Sequence, residues 1–219
     1  MSYIQIQDYT KKIKDNTVLE NINLDLERGQ IYGFIGKNGS GKTMLFRAIC
    51  GLIKPTAGNV MINEEVITKD IDFPRSCGVI IETPGFWEDF TGFQCLKIIA
   101  DIKNIITDTD IIDWMKTFEL DPYDKKNVKK YSLGMKQKLA LVQAFMEKPD
   151  LIILDEPTNS LDENAISILH NVIINEKKRG ATILIASHHK EDITLLSDKI
   201  LEINQGKIIT ISESKQNGD

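Results

Sequence analysis

Two short stretches hold residues whose types and spacing could do chemistry. "GKNGSGKT", residues 36–43, fits the phosphate-loop pattern G-x-x-x-x-G-K-[ST]. Gly39 and Gly41 let the backbone turn tightly enough to aim consecutive amides at phosphate oxygens. A helix starting near Lys42 presents its positive end to the same anion. In this pattern Lys42 reaches the β- and γ-phosphates of a nucleotide, and Thr43 ligates magnesium. "LIILDEPTNSLD" supplies the second half: four apolar residues read as a buried strand, with two carboxylates at its end. Ligands in open α/β sheets sit at the carboxyl ends of strands. Asp155 is thus placed to hold magnesium, directly or through water, and Glu156 is a candidate general base for an attacking water. Each stretch has a plainer reading, a glycine-rich turn and a strand ending in solvated acids. Each weakens the plainer reading of the other.

The surrounding elements must position these groups. "YIQIQ" and "TVLENINLDLERG" alternate and read as half-buried strands of an antiparallel layer. "GQIYGFIG" is a short apolar strand running into the phosphate loop. "TMLFRAICGLI" reads as a helix with Leu45, Ile49 and Leu52 on one face. "GNVMINEEVI" reads as a strand pair, and "PRSCGVIIE" ends in a short buried strand. From Trp87 to about Lys130 the texture turns helical, with "GFQCLKIIADIKNI" and "DIIDWMKTFEL". Then "LGMKQKLALVQAFMEK" (helix), "LIILD" (strand), "ENAISILHNVIINEKKRG" (helix) and "TILIAS" (strand) follow, before a short helix and the strands "KILEI" and "KIITI". Short all-apolar strands alternating with helices predict a parallel sheet covered on both faces. "SESKQNGD" reads as a frayed polar tail.

Composition narrows the function. The 219 residues suit one domain with a small subdomain, and 42% hydrophobic residues suffice for a core. A net charge of −5 argues against nucleic acid as the main partner. Cys50, Cys77 and Cys95 are odd in number and scattered, which fits buried thiols in a reducing compartment. "MSYIQIQDYTKK" lacks the charged start and apolar core of a secretory leader. No run approaches the roughly 18 apolar residues needed to span a bilayer. The expectation is a soluble cytoplasmic protein that can dock on a membrane protein.

"YSLGMKQK", residues 131–138, is by itself a capped helix start, with Ser132 as the cap. Its position shortly before "LIILDE" makes the chain similar to the ATP-binding subunits of ABC transporters. "GKNGSGKT" resembles their Walker A motif, "LIILDE" their Walker B, "YSLGMKQK" their signature and "NSLD" their D-loop. Ser187-His188 after "TILIAS" resembles the switch histidine, and all of these occur in the family's order. The resemblance implies a P-loop NTPase core of α/β class, with a mostly parallel sheet, an antiparallel β layer and an inserted helical subdomain. The core is expected at about 1–86 and 136–219, and the subdomain at about 87–135, within a single nucleotide-binding domain 1–219. It implies ATP and Mg2+ as cofactors, a second copy of the chain as partner, and transmembrane permease subunits to power from the inner face of the cell membrane. Catalysis falls to Glu156, His188 and Lys42. ATP is held by Gly36, Lys37, Asn38, Gly39, Ser40, Gly41, Lys42, Thr43 and Met44. Ser132, Gly134 and Met135 face the opposite subunit's nucleotide, and Asp162 contacts that subunit's site.

The sequence departs from the family pattern in three places. Only Ser132 and Gly134 match the signature; Tyr131, Leu133 and Met135 do not. A hydroxyl, a glycine amide and a helix N-terminus still suffice for a γ-phosphate. Glu82 stands where a glutamine that senses magnesium and the permease is expected, so its assigned roles are coupling and metal. "IETPGFW" there resembles the ATPases of bacitracin- and lantibiotic-type export or self-protection systems. The adenine-stacking position falls on Ile13, with Tyr9 nearby as a substitute or as ordinary packing. Phe86, Trp87 and Phe90 are either core or a surface for a permease helix. Lys125, Lys126, Lys129 and Lys130 read as a solvated face, and His170 and His189 as surface residues. The function implied is an ATPase driving an exporter of peptides, antibiotics or other small molecules. The rivals are a soluble ABC-type ATPase acting as a switch outside transport, a P-loop kinase or small GTPase, and an idle regulatory cassette. Intact Lys42, Asp155 and Glu156 count against the last.

Overall fold

A computed structural model describes residues 2–82, 85–188 and 190–213, except for the side chains at 190 and 192. His189 and residues 214–219, which hold most of the expected polar tail, lie outside the described residues.

Strands β1 (Ser2–Ile13), β2 (Asn16–Glu27), β4 (Ala57–Ile62) and β5 (Glu65–Val66) form an antiparallel sheet in the order β2-β1-β4-β5. The β4–β5 turn is made by Asn63 and Glu64, both in the left-handed region (φ 51° and 70°). Positive φ at both central residues matches the right-handed twist of a tight hairpin.

The second sheet is built from β3 (Ile31–Ile35), β6 (Cys77–Ile80), β7 (Leu151–Asp155), β8 (Thr182–Ala186), β9 (Lys199–Asn204) and β10 (Lys207–Glu213). Its order is β10-β9-β3-β8-β7-β6. β9, β3, β8, β7 and β6 run parallel, and β10 turns back antiparallel on β9. All five residues of β7 and of β8 are buried, as their continuous apolar runs require when both faces are covered.

Six α-helices fill the connections among the described residues, with one 3-10 turn at Val128–Lys130: α1 (Lys42–Ile49), α2 (Gly92–Lys103), α3 (Asp108–Thr117), α4 (Leu133–Phe145), α5 (Glu163–Arg179) and α6 (Lys190–Leu196). α1 ends earlier than its apolar pattern predicts. Cys50 caps it, Gly51 turns left-handed (φ 76°), and Leu52 lies 64% exposed instead of on the buried face with Leu45 and Ile49. α2 and α3 each begin with a capping box, Thr91 with Gln94 and Thr107 with Asp110. Asn104, left-handed at φ 53°, stops α2 and leaves Ile105 exposed.

α1 and the antiparallel sheet pack on one face of the parallel sheet, around Phe34, Phe46 and Ile153. α2, α3, α4 and α5 share a core on the other face with Ile80, Ile152 and Leu154. Trp114, Phe118 and Phe145 stack there with centroids 5.9–6.3 Å apart. The expected division at 135/136 falls in the first turn of α4.

Two close contacts hold the helical layer together and against the parallel sheet. Val128 and Lys129 donate backbone hydrogen bonds to Phe90 and Glu88, and Lys129 pairs with Asp89 at 2.6 Å. This short ladder ties the segment before α2 to the segment before α4. At Gly78, on β6, an added Cβ would lie 1.8 Å from the carbonyl oxygen of Ala144 on α4. Backbone cannot yield as a flexible side chain can. Gly78→Ala is expected to destabilise the chain by about 2–4 kcal/mol, seen as a lower midpoint in thermal or urea unfolding. An unchanged midpoint would contradict this contact.

Candidate functional site

The carboxyl ends of β3, β6 and β7 open onto a cleft of about 900 Å3. β3 delivers the phosphate loop. Gly39 and Gly41 take left-handed backbone angles (φ 77° and 113°), which carry the chain from the strand into α1. Gly206, in the β9–β10 turn, donates to the Ser40 carbonyl at 2.8 Å and accepts from the Glu20 amide at 2.9 Å. The loop is thereby braced against β2 and β9.

The loop residues divide by position. Asn38, Gly39, Ser40, Gly41, Lys42, Thr43 and Met44 line the cleft; Gly36 and Lys37 do not. Gly36 and Lys37 act through their carbonyls, which accept from the Lys42 ammonium at 2.7 and 3.4 Å. Lys42 is only 6% exposed. A buried cation held on neutral carbonyls is poised for an anion, because charge burial is costly without a counter-charge. Ser40 Oγ is buried with no hydrogen-bond partner among the described residues. An orphaned hydroxyl inside a phosphate loop fits a missing anionic ligand.

Thr43 Oγ1 donates to Asp155 Oδ2 at 2.5 Å, joining α1 to the end of β7. Burial pushes the Asp155 carboxyl above its usual range, as do the charges of Glu156 and Glu82; the Thr43 hydrogen bond and Lys42 oppose the shift. The donors there are oxygens, which suits a hard cation such as magnesium. Among the described residues no group of three or more His, Cys, Asp or Glu could hold a metal. Phosphate oxygens and water would supply the remaining ligands of a cation held there.

Glu156 lies one residue past β7 in the left-handed region (φ 50°). Its carboxylate meets His188, after β8, with Oε2 2.6 Å from Nδ1 and 3.3 Å from the His188 amide. A carboxylate oriented by an imidazole at the rim of a phosphate cleft can hold and deprotonate a water. Glu82, past β6, also lines the cleft, and its carboxylate pairs with Arg47 at 2.6 Å.

Ser132 caps α4: its Oγ accepts from the Met135 amide at 3.1 Å. Leu133 is 71% exposed and borders the cleft, whereas the Met135 side chain packs against the core. An added Cβ on Gly134 would stand 2.7 Å from the Ser160 carbonyl oxygen, so glycine is required by close approach. Asp162 is exposed and caps α5, accepting from Ala165 at 2.8 Å.

Several expected residues stand elsewhere. Ile13 is exposed at the end of β1 and does not line the cleft; Thr17 and Val18 of β2 do. Tyr9 is buried, bonded to the Ile53 carbonyl and pushed up to about 12 by burial, so it packs on the β layer and cannot stack on a base. Trp87 and Phe90 are partly exposed, and Phe86 packs against the core. Lys125, Lys126, Lys129 and Lys130 are exposed, whereas His170 is half-buried on α5. Cys50 and Cys95 are buried free thiols, and Cys77 is half-buried. Sequence reasoning missed Thr17, Val18, Gln205 and Arg47. The first three carry no motif, but Arg47 follows Thr43 by one helical turn, a spacing that could have found it.

Similarity to known proteins identifies the family. The ABC transporter family model matches residues 19–159. The ABC transporter ATP-binding protein YybJ of Bacillus subtilis (strain 168) is 50% identical over 207 residues, covering 94% of this chain and 95% of its own. The bacitracin transport ATP-binding protein BcrA of Bacillus licheniformis is 38% identical (94% and 68% covered). The lantibiotic transport ATP-binding protein SrtF of Streptococcus pyogenes is 34% identical (96% and 90%). A solved ATP-binding subunit of an ABC transporter superposes with a TM-score of 0.88 at 27% identity, covering 97% of this chain and 90% of that one. The ATP-binding cassette MJ0796, solved as a post-hydrolysis dimer bound to ADP and Pi, shares the fold (TM-score 0.86, 19% identity, 97% and 99% covered). The chain belongs to the ABC transporter family. It is the ATP-binding, ATP-hydrolysing subunit of such a transporter.

The raised Asp155 carboxyl has a consequence for stability. A carboxyl raised in the fold favours folding while protonated, and that contribution is lost as pH rises through its folded value. At pH 7–8 the ionised group is a net cost of the nucleotide-free fold. Asp155→Asn, which keeps an acceptor for Thr43, is expected to raise the nucleotide-free melting temperature by roughly 1–3 °C there. The gain should vanish below the ordinary carboxylate range. A melting-temperature gain that is the same at both pH values, or no gain, would refute the assignment.

Proposed function

We propose that this subunit powers an exporter of peptides or antibiotics, working as a pair of copies beneath separate permease subunits on the cytoplasmic face of the membrane. The observation that carries the reading is the convergence of Lys42, the Thr43–Asp155 pair and the Glu156–His188 pair on one cleft. The exporter class rests on likeness to the bacitracin and lantibiotic transport proteins. No helix among the described residues is long and apolar enough to cross a membrane.

In this mechanism ATP enters along the loop from Asn38 to Met44, and Lys42 leaves the Gly36 and Lys37 carbonyls for the β- and γ-phosphates. Magnesium would be held by Thr43 and Asp155, with Glu82 as a further candidate carboxylate on the cleft wall, and would supply charge neutralisation to the phosphates. Glu156 takes the proton of the attacking water, and His188 orients both the carboxylate and the γ-phosphate. The base packs against the apolar wall near Val18; Ile13 lies farther along the hairpin. The exposed N-terminus of α4, with Ser132 and Gly134, meets the γ-phosphate on the other copy, and Asp162 touches that copy's site. The helical part at about 87–135 serves as the subdomain that faces the permease, with Trp87 and Phe90 as contacts and Glu82 coupling them to the nucleotide.

Glu156→Gln is expected to bind ATP yet hydrolyse it at least about 100-fold more slowly, and to accumulate as an ATP-bound dimer on size exclusion. Ser132→Ala should abolish hydrolysis while single-subunit ATP binding stays nearly intact. A Glu156→Gln chain that remains monomeric with ATP, even with its permease supplied, would overturn the shared site.

A further inference from the structure

Thr43 and Arg47 lie one turn apart on the same face of α1. Each meets a carboxylate from a neighbouring strand end. Thr43 holds Asp155 at 2.5 Å, and Arg47 holds Glu82 at 2.6 Å. Glu82 sits past β6 in the left-handed region (φ 61°), a conformation uncommon for a side-chain-bearing residue. Together with Asp155 and Glu156 it places three carboxylates on the wall of a cleft that receives a polyphosphate. Like charges on one wall repel, and at Glu82, which is 57% exposed, water screens part of that repulsion. Lys42, which is committed to the loop, and Lys136 also line the cleft, and Arg47 is the cation paired with Glu82.

We propose that Arg47 is the positioning counter-charge for Glu82. It draws the carboxylate onto α1 one turn past Thr43 and cancels its charge toward incoming phosphates, so that an acid can occupy this place in the cleft without repelling the nucleotide. Arg47 acts through Glu82 and does not touch the nucleotide. The inference rests on the reading of the cleft as the nucleotide site, which Lys42→Ala tests separately.

The experiment is ATP binding by the full chain, followed by calorimetry with a metal chelator present, so that no cation masks the carboxylates. Arg47→Ala is expected to weaken binding about fivefold, the scale of a partly exposed ion pair. Glu82→Gln alone should tighten it about threefold, and the double variant should return to within about twofold of the unsubstituted chain. Arg47→Lys, which keeps the charge, should hold binding within about twofold. Two results would overturn the proposal: a double variant as weak as Arg47→Ala, which would make Arg47 a direct phosphate ligand or a structural prop, or a Glu82→Gln chain with unchanged affinity. The second test leaves α1 intact and so stands even if Arg47→Ala fails to fold. Lys42→Ala should lose binding in every background; binding retained there would sink the nucleotide site itself, not the pair.

Discussion

The hydrogen bond between Thr43 and Asp155 is the interaction on which the rest of the site depends. It joins the start of α1 to the end of β7, two elements far apart in sequence. It also keeps a carboxylate ionisable in a place where burial resists the charge. Everything else is arranged around that cost. β7 must be buried on both faces to bring Asp155 to the floor of the cleft, and its five buried residues do this. The phosphate loop must wrap tightly for Thr43 to arrive, and the Gly206 brace holds it there. A cation bound to nucleotide relieves the same cost, so occupancy and local stability are linked.

Much of this is legible in the sequence because it is local. The loop "GKNGSGKT" announces its turn through its glycines, and "LIILD" announces burial through an unbroken apolar run. Ser132 and Asp162 announce helix starts because capping is a matter of a few adjacent residues. The less legible features depend on tertiary placement. Nothing in "TMLFRAICGLI" says that Gly51 will turn left-handed and leave Leu52 in solvent. Counting back along the strand places Ile13 at the base, but in the fold Ile13 is exposed at the end of β1, and Thr17 and Val18 of β2 line the cleft. Tyr9 has the right chemistry for stacking, yet its side chain points into the core. The Glu82–Arg47 pair spans separate elements, and only folding brings them together.

The charges of the cleft are matched by element. Each carboxylate at a strand end is met by a group from a different segment: Asp155 by Thr43, Glu82 by Arg47, Glu156 by His188. The acids are thus held apart from one another before any ligand arrives. This is preorganisation in a concrete sense, since side chains already fixed by partners lose little freedom on binding.

The contact between Gly134 and Ser160 has a mechanical side. A single hydrogen is all that separates the first turn of α4 from the chain leading to α5. Such a fit acts as a bearing with no play. A side chain at 134 would have to push back Ser160 and, two residues on, the cap of α5, so the spacing of these two edges is set by one missing methyl group.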